Sequence, residues 1–399
     1  MPSLIAWLDS TPAEQKAARE LIAMFNDKES RDELGIGPIR DAFSDLLFPG
    51  TSVLQTRARY YLFIPWCYMA NNVTRQAGPT HRTKGRANER ALIKALHGSS
   101  SQDKAGLIGA RAGVNVRNLP SDIYWTGMLR YGVREHRGSI GALTLPSSGA
   151  EGATELTQRS PAEWNRTVPP APQGFPDRVE EAFAMTAEEA SWLKERIVTS
   201  TQDTVLAHLL EQDQPIAQDS LAPWYAVSES KFEELHHARM FSSVMQGAAL
   251  LYNLLIAERF QEHGLAEDDS DRPAEFRERL TEWHQELRAT SEGALRTWDL
   301  ERMWVITKGS NPNIQRRAQE FVNSWVNGLR TATDTADDSV LRALVEEREK
   351  RKGAQSRLKN EKMLAAWSGE SGTGRLTYRW GTVKTIVNDI QNGLDRAGA

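Results

Sequence analysis

The 399-residue sequence holds 49 Lys and Arg against 53 Asp and Glu, a formal net charge of −4, with 40% hydrophobic and 26% charged residues. Such a chain is globular and long enough for two or three domains at roughly 100–200 residues each. One cysteine, Cys67, excludes a disulfide framework and a multi-cysteine zinc site, and the start "MPSLIAWLDSTPAEQ" lacks a basic segment followed by an apolar run, so a cytoplasmic protein is expected.

Helix signals begin at once. "TPAEQKAARELIAMF" opens with a capping box from Thr11 to Glu14, has Pro12 at the first helical position and spaces Ala18, Leu21, Ile22 and Phe25 along one face. "DELGIGPIRDAF" places Gly35 and Gly37 before a helix. It lacks the Lys and hydroxyl of a Walker loop and the third glycine of a dinucleotide fingerprint, so it reads as a tight entry turn. "GTSVLQTRARYYLF" reads as a helix from Thr51 that buries Leu54, Ala58, Tyr61 and Leu62. Pro65 is expected to end or kink it, and Arg57 and Arg59 are expected to pair with Asp41 or Asp45. Cys67, in "FIPWCYM", is expected in the core with a blunted thiol.

Next comes a basic segment. From Arg75 to Arg137 there are 12 basic and 4 acidic residues, which offers a polyanion somewhere to dock. Its pattern predicts a helix near 86–97, a short helix near 103–111, a turn from Gly113 to Asn118 and a helix after Pro120, the layout of a helix-turn-helix-like unit over 86–137. In that unit Arg111, Arg117, Arg130, Arg134 and Arg137 line the third helix and its flanks. Arg82, Lys84 and Arg86 reach phosphates from an arm. Tyr124, Trp125 and Tyr131 have the spacing of packed side chains, with base stacking as the alternative.

Between Gly138 and Pro176 stand five Gly and six Pro, which no regular element tolerates. Short strands are expected near 138–145 and 374–380. Thr186 to Glu189 repeats the capping-box signature. A long helix should start near Ser228, bury Phe232, Leu235, Phe241, Leu250, Leu251, Leu254 and Leu255, and end before Gly264. Its uncharged run from Met240 to Ala257 reads as a buried helix rather than a membrane span. Further helices are expected at about 273–300, 313–330 and 338–366, with 346–362 as an exposed mixed-charge helix. The last begins at Trp380 and spaces Val383, Ile386, Val387, Ile390 and Leu394. The fold class is therefore mainly α and multi-helical, with a few short strands. Three parts are expected: a basic helical domain over 1–137, a linker or insertion over 138–176, and a helical domain over 177–399.

Charge is uneven along the chain. Residues 1–137 hold 19 Lys and Arg against 13 Asp and Glu, 151–300 hold 13 against 28, and 301–399 hold 17 against 12. The acidic middle either neutralises the basic start or leaves it open. Catalytic and metal signatures are missing: no Gly-x-Ser-x-Gly elbow occurs, and Glu233-x-x-His236 with Glu234-x-x-His237 lacks the second pair that a di-iron bundle needs. No cofactor or metal is expected, and no catalytic residue can be named.

"DELGIGPIRDAFSDLLFPGTSVLQTRARYYLFIPW", "GLIGARAGVNVRNLPSDIYWTGMLRYGV", "HARMFSSVMQGAALLYNLLIAE" and "YRWGTVKTIVNDIQNGL" together resemble an uncharacterised bacterial family of about this length, a domain of unknown function linked to anti-phage defence islands. The resemblance implies a soluble component that works beside DNA-acting partners, and it carries over no activity, catalytic residue or cofactor. The function expected is a non-enzymatic nucleic-acid-associated component of a multi-protein bacterial system, with DNA or RNA and protein partners and no membrane. The alternatives are a protein–protein adaptor and an enzyme with a dispersed site, such as a nuclease.

Overall fold

The computed structural model describes residues 32–70, 79–99, 103–135, 164–212, 214–266 and 271–396. The helix expected at 11–25, the strand expected at 138–145 and Arg137 lie outside them. Two compact units divide the chain. One takes Leu47–Val227 with the segment from Arg379 onward, and the other takes Ser228–Tyr378 with the described residues up to Leu46. The Gly/Pro-rich stretch is therefore not where the units part. Its described portion belongs to the first unit, where the Trp66 indole donates to the Pro169 carbonyl at 2.7 Å.

The first helix described, α1 (Gly37–Leu47), belongs but for its last residue to the second unit, and the first unit is built around α2, Tyr60–Met69. Every α2 side chain from Tyr60 to Tyr68 is buried, as expected of a helix that is apolar all round. The helix expected from Thr51 is absent. Thr51 Oγ1 donates to the Phe48 carbonyl, the Gln55 amide donates to the Gly50 carbonyl and its Oε1 accepts from Ser52 N, and these local bonds outcompete the first helical turn. Pro65 sits inside α2 rather than ending it. Against α2 pack α3 (Pro79–Gly98) and α4 (Pro120–Arg130), while α5 (Ala187–Ser200), α6 (Val205–Glu211) and, at the C-terminal end of the chain, α13 (Trp380–Asp395) pack on one another. The Thr186 capping box is formed, with Glu189 N donating to Thr186 Oγ1 and Thr186 N to the Glu189 carboxylate.

The middle helix of the helix-turn-helix-like pattern does not form. Residues 103–112 make successive turns and Gly113–Asn115 a single 3-10 turn, because Gly106, Gly109 and Gly113 all adopt positive φ, at 80°, 88° and 57°. No strand forms at 374–380, where Tyr378 and Arg379 turn left-handed just before α13. Among the described residues, β pairing is limited to one isolated bridge between Arg134 and Trp164.

The second unit is organised by α7, Glu233–Glu262, with α8 (Arg272–Thr297), α9 (Leu300–Ser310), α10 (Arg316–Leu329), α11 (Ser339–Lys350) and α12 (Glu361–Ala365). Phe232 caps α7 and is only half-buried, whereas Leu235, Phe241, Leu250, Leu251, Leu254 and Leu255 are buried as expected. α7 is long and apolar enough to cross a bilayer, yet 83% of its apolar stretch is buried within the protein. It runs antiparallel to α8: Arg277 bonds Glu258 at 2.8 Å near one end, the Trp283 indole donates to the Ser243 carbonyl at 2.8 Å, and the Trp298 indole donates to His237 Nδ1 at 2.9 Å near the other. A Cβ on Gly247 would stand 2.2 Å from the Trp283 ring, so glycine sets the closeness of this crossing. Gly247→Ala is expected to destabilise the unit by about 1–3 kcal/mol through overpacking, read as a lowered urea midpoint. The stretch 346–362 is not an exposed helix. It breaks after Lys350, with Glu349 and Arg357 buried, and Arg357 bonds Glu33 at 2.6 Å and the Tyr252 hydroxyl.

Candidate functional site

α3 begins at Pro79, so Arg82, Lys84 and Arg86 belong to a helix rather than to a flexible arm. Its inward face presents Gly85, Glu89, Leu92, Ile93 and Leu96, all buried. Arg82, Arg86, Arg90 and Lys94 recur every four residues and form a row roughly 18 Å long that drifts from the edge of the buried face to the solvent. Lys84, two positions on from Arg82, leaves that row. The loop that follows packs back on the end of α3: Lys104 Nζ donates to the His97 carbonyl at 2.7 Å, and His97 Nε2 lies 3.1 Å from the Gly109 carbonyl. Arg111 and Arg117 follow on this loop and are exposed, as is Arg130 at the end of α4.

From 79 to 118 the sequence has eight Lys and Arg and two acids, Glu89 and Asp103. Glu89 is removed from the surface balance, whereas Asp103 stays exposed. Glu89 is fully buried, and Asp103 accepts from Arg57 at 2.7 Å. Arg82, Lys84, Lys94, Arg111 and Arg130 have no carboxylate partner among the described residues, and Arg86 pairs with Asp122 at 2.8 Å. Arg134 is interior, its guanidinium 4.0 Å from the centroid of the Trp125 ring. Tyr124 and Tyr131 are buried in a cluster with Tyr61, at centroid separations of 5.0 and 5.2 Å, and Trp125 lies edge-on to Trp164 at 5.9 Å. Packing therefore accounts for all three rings.

The two arginines of the Gly50–Phe63 stretch do not reach Asp41 or Asp45. Arg57 is buried against Asp389 of α13, with Nε to Oδ2 at 2.9 Å and Nη2 to Oδ1 at 2.8 Å, while Asp389 also accepts from Ala58 N at 2.9 Å. Burial would lower the Arg57 pKa, but the Asp389 and Asp103 carboxylates more than offset it and hold the guanidinium charged. Arg59 bonds Glu189 at 2.9 Å and the Ala182 carbonyl at 3.0 Å, both in the interior. Their partners are 332 and 130 residues away, which no local pattern reveals.

Glu89 carries the one strongly displaced carboxyl pKa of this region. Its oxygens accept from Ser121 N at 2.7 Å and Ser121 Oγ at 2.9 Å, so it caps α4 from α3, yet burial pushes its pKa up to about 7. Beside it, burial raises the Cys67 thiol well above its usual range and keeps it protonated at neutral pH.

A family model spans residues 2–393. The chain belongs to the family of unknown function DUF6361. No curated protein and no solved structure matches it.

Other arrangements in this DUF6361 chain are already satisfied from within. The amides at the start of α1 donate to Asp32, Ile36 N and Gly37 N each at 2.7 Å, so the protein's own carboxylate fills the turn at Gly35–Gly37. Glu233 is held by Arg302 at 2.7 Å and His236 by Glu229 at 3.2 Å. Among the described residues no three His, Cys, Asp or Glu side chains converge as metal ligands would. A cleft of about 440 Å³ in the first unit is lined by Arg57, Asp103, Glu181, Phe183, Asp389 and Arg396. Its charges pair among themselves, Arg396 with Glu181 at 2.5 Å and Arg57 with Asp389 and Asp103.

Proposed function

We propose that the chain is a non-enzymatic, nucleic-acid-associated component of a multi-protein bacterial system, and that it docks through α3 and the loop after it. The observation that carries this reading is the 79–118 surface: Arg82, Lys84, Arg90, Lys94, Lys104 and Arg111 have no carboxylate partner among the described residues, while Glu89 lies in the interior and Asp103 is held by Arg57. An unneutralised cationic surface attracts polyanions by releasing their counterions. Of the acidic middle block, Glu189 pairs with Arg59 in the interior, and Glu233, Glu258 and Glu286 pair with Arg302, Arg342 and Arg375 of the basic end of the chain. A place in an anti-phage system is part of the same proposal and rests on the resemblance alone.

Fluorescence anisotropy with a labelled oligonucleotide, titrated with salt, tests the reading. Binding that weakens with salt along a negative log–log slope is expected. The triple variant Arg82→Glu, Arg90→Glu, Lys94→Glu is expected to bind at least about tenfold more weakly and to flatten the slope by up to about 0.9 for each phosphate it no longer neutralises. No binding at low salt, or a slope near zero, would end it. The adaptor reading draws on Leu221 and Tyr225, which stand 75% and 63% exposed beside the Pro223–Tyr225 turn. It predicts that a co-purifying protein survives the triple charge reversal and disappears on Leu221→Ser with Tyr225→Ser.

A further inference from the structure

We infer that the α3 row binds the phosphate backbone of a double-stranded nucleic acid, without regard to base sequence. The inference rests on the proposed function and narrows it to one ligand class. Three features of the surface argue for it together.

The first is regularity. Arg82, Arg86, Arg90 and Lys94 advance about 6 Å per step along the α3 axis, a spacing that suits phosphates of one strand, and with Arg86 held by Asp122 the cations left for that task are Arg82, Arg90 and Lys94. The second is the character of the surface between them. Ala87, Ala91 and Ala95 punctuate the row, and the amide of Asn88, the only Asn or Gln on α3, is committed to the Cys67 carbonyl at 2.7 Å. Small side chains let the helix lie close to a backbone and offer no amide to a base edge.

The third feature is the lack of a stacking platform. Single-strand binders gain much of their affinity from exposed rings on which bases stack. Among the described residues of 79–135, Tyr124 and Tyr131 are buried, and the half-buried Trp125 has Trp164 edge-on and the Arg134 guanidinium over its ring. Affinity then comes from phosphates alone. Each phosphate contact releases more counterion from a duplex, about 0.9, than from a single strand, about 0.7, so a purely electrostatic row favours the duplex.

The test uses the full chain and five labelled probes of equal length: two DNA duplexes of unrelated sequence, one strand of each, and an RNA duplex. At one low salt concentration the two DNA duplexes are expected to bind within about twofold of each other, and the single strands at least about fivefold more weakly. If the RNA duplex is the tighter of the two duplex types while single strands stay weak, the inference also holds, with RNA as the source of the phosphates. Arg90→Gln, on the exposed face, is expected to weaken both DNA duplexes by the same factor. Single strands bound as tightly as duplexes, or a tenfold preference for one duplex sequence, would overturn this inference while leaving the proposed function standing. Failure of every probe to bind would remove both.

Discussion

Asp389→Ala is expected to destabilise the first unit by about 3–5 kcal/mol, because it strands a buried guanidinium. Asp389 takes two bonds from Arg57 and one from Ala58 N, and its side chain is only 9% exposed. Without it, Arg57 keeps a single charged partner, Asp103, whose side chain is 58% exposed and screened by water. Urea unfolding followed by tryptophan emission measures the drop in stability. The double change Arg57→Met with Asp389→Leu is expected to recover much of it, since a packed apolar pair of similar volume does not have to repay desolvation of two charges. A single variant within about 1 kcal/mol of the parent would show that the pair does not hold α13 to the loop before α2.

The second large effect concerns pH. The Glu89 carboxyl titrates at about 7 in the folded protein against 4.5 for an ordinary glutamate, and burial is the leading cause. The folded state therefore binds the proton more tightly. Stability from this group is fully present below about 4.5 and is lost as pH rises through 7, by an amount approaching roughly 3 kcal/mol at pH 8.5. Glu89→Gln keeps an oxygen to accept from Ser121 N and cannot ionise. It is expected to leave stability within about 1 kcal/mol at pH 5 and to raise it by about 2–3 kcal/mol at pH 8.5, read from urea midpoints at the two pH values. A Gln variant that is less stable than the parent at pH 8.5 would mean that the charged carboxylate, as a cap on α4, outweighs its own desolvation.

Both predictions turn on residues that look ordinary in the chain. Glu89 stands between Arg86 and Arg90 in what reads as a solvated helix, and only the packing of α2 and α4 against α3 buries it. Asp389 sits among the apolar residues of the last helix and carries no local sign of a partner 332 residues earlier. Arg57 and Arg59 stand in the chain as two cations beside three aromatics. Tertiary contacts make them interior ion-pair members rather than surface groups.

By itself the sequence determined what short-range physics can determine. Apolar periodicity located α7, α8, α10 and α13, the Thr-x-x-Glu capping box located the start of α5, and a cysteine in an all-apolar run meant a buried thiol. Each of these depends on neighbours within a few residues, which the chain displays directly. Only the tertiary structure decided how the chain divides into compact units, that three left-handed glycines replace the middle helix of the basic segment, and which cations stay at the surface. Those outcomes depend on contacts between residues tens to hundreds of positions apart. Whether a charge is buried with a partner or left in water is set by the balance of desolvation against pairing at the place where the fold puts it.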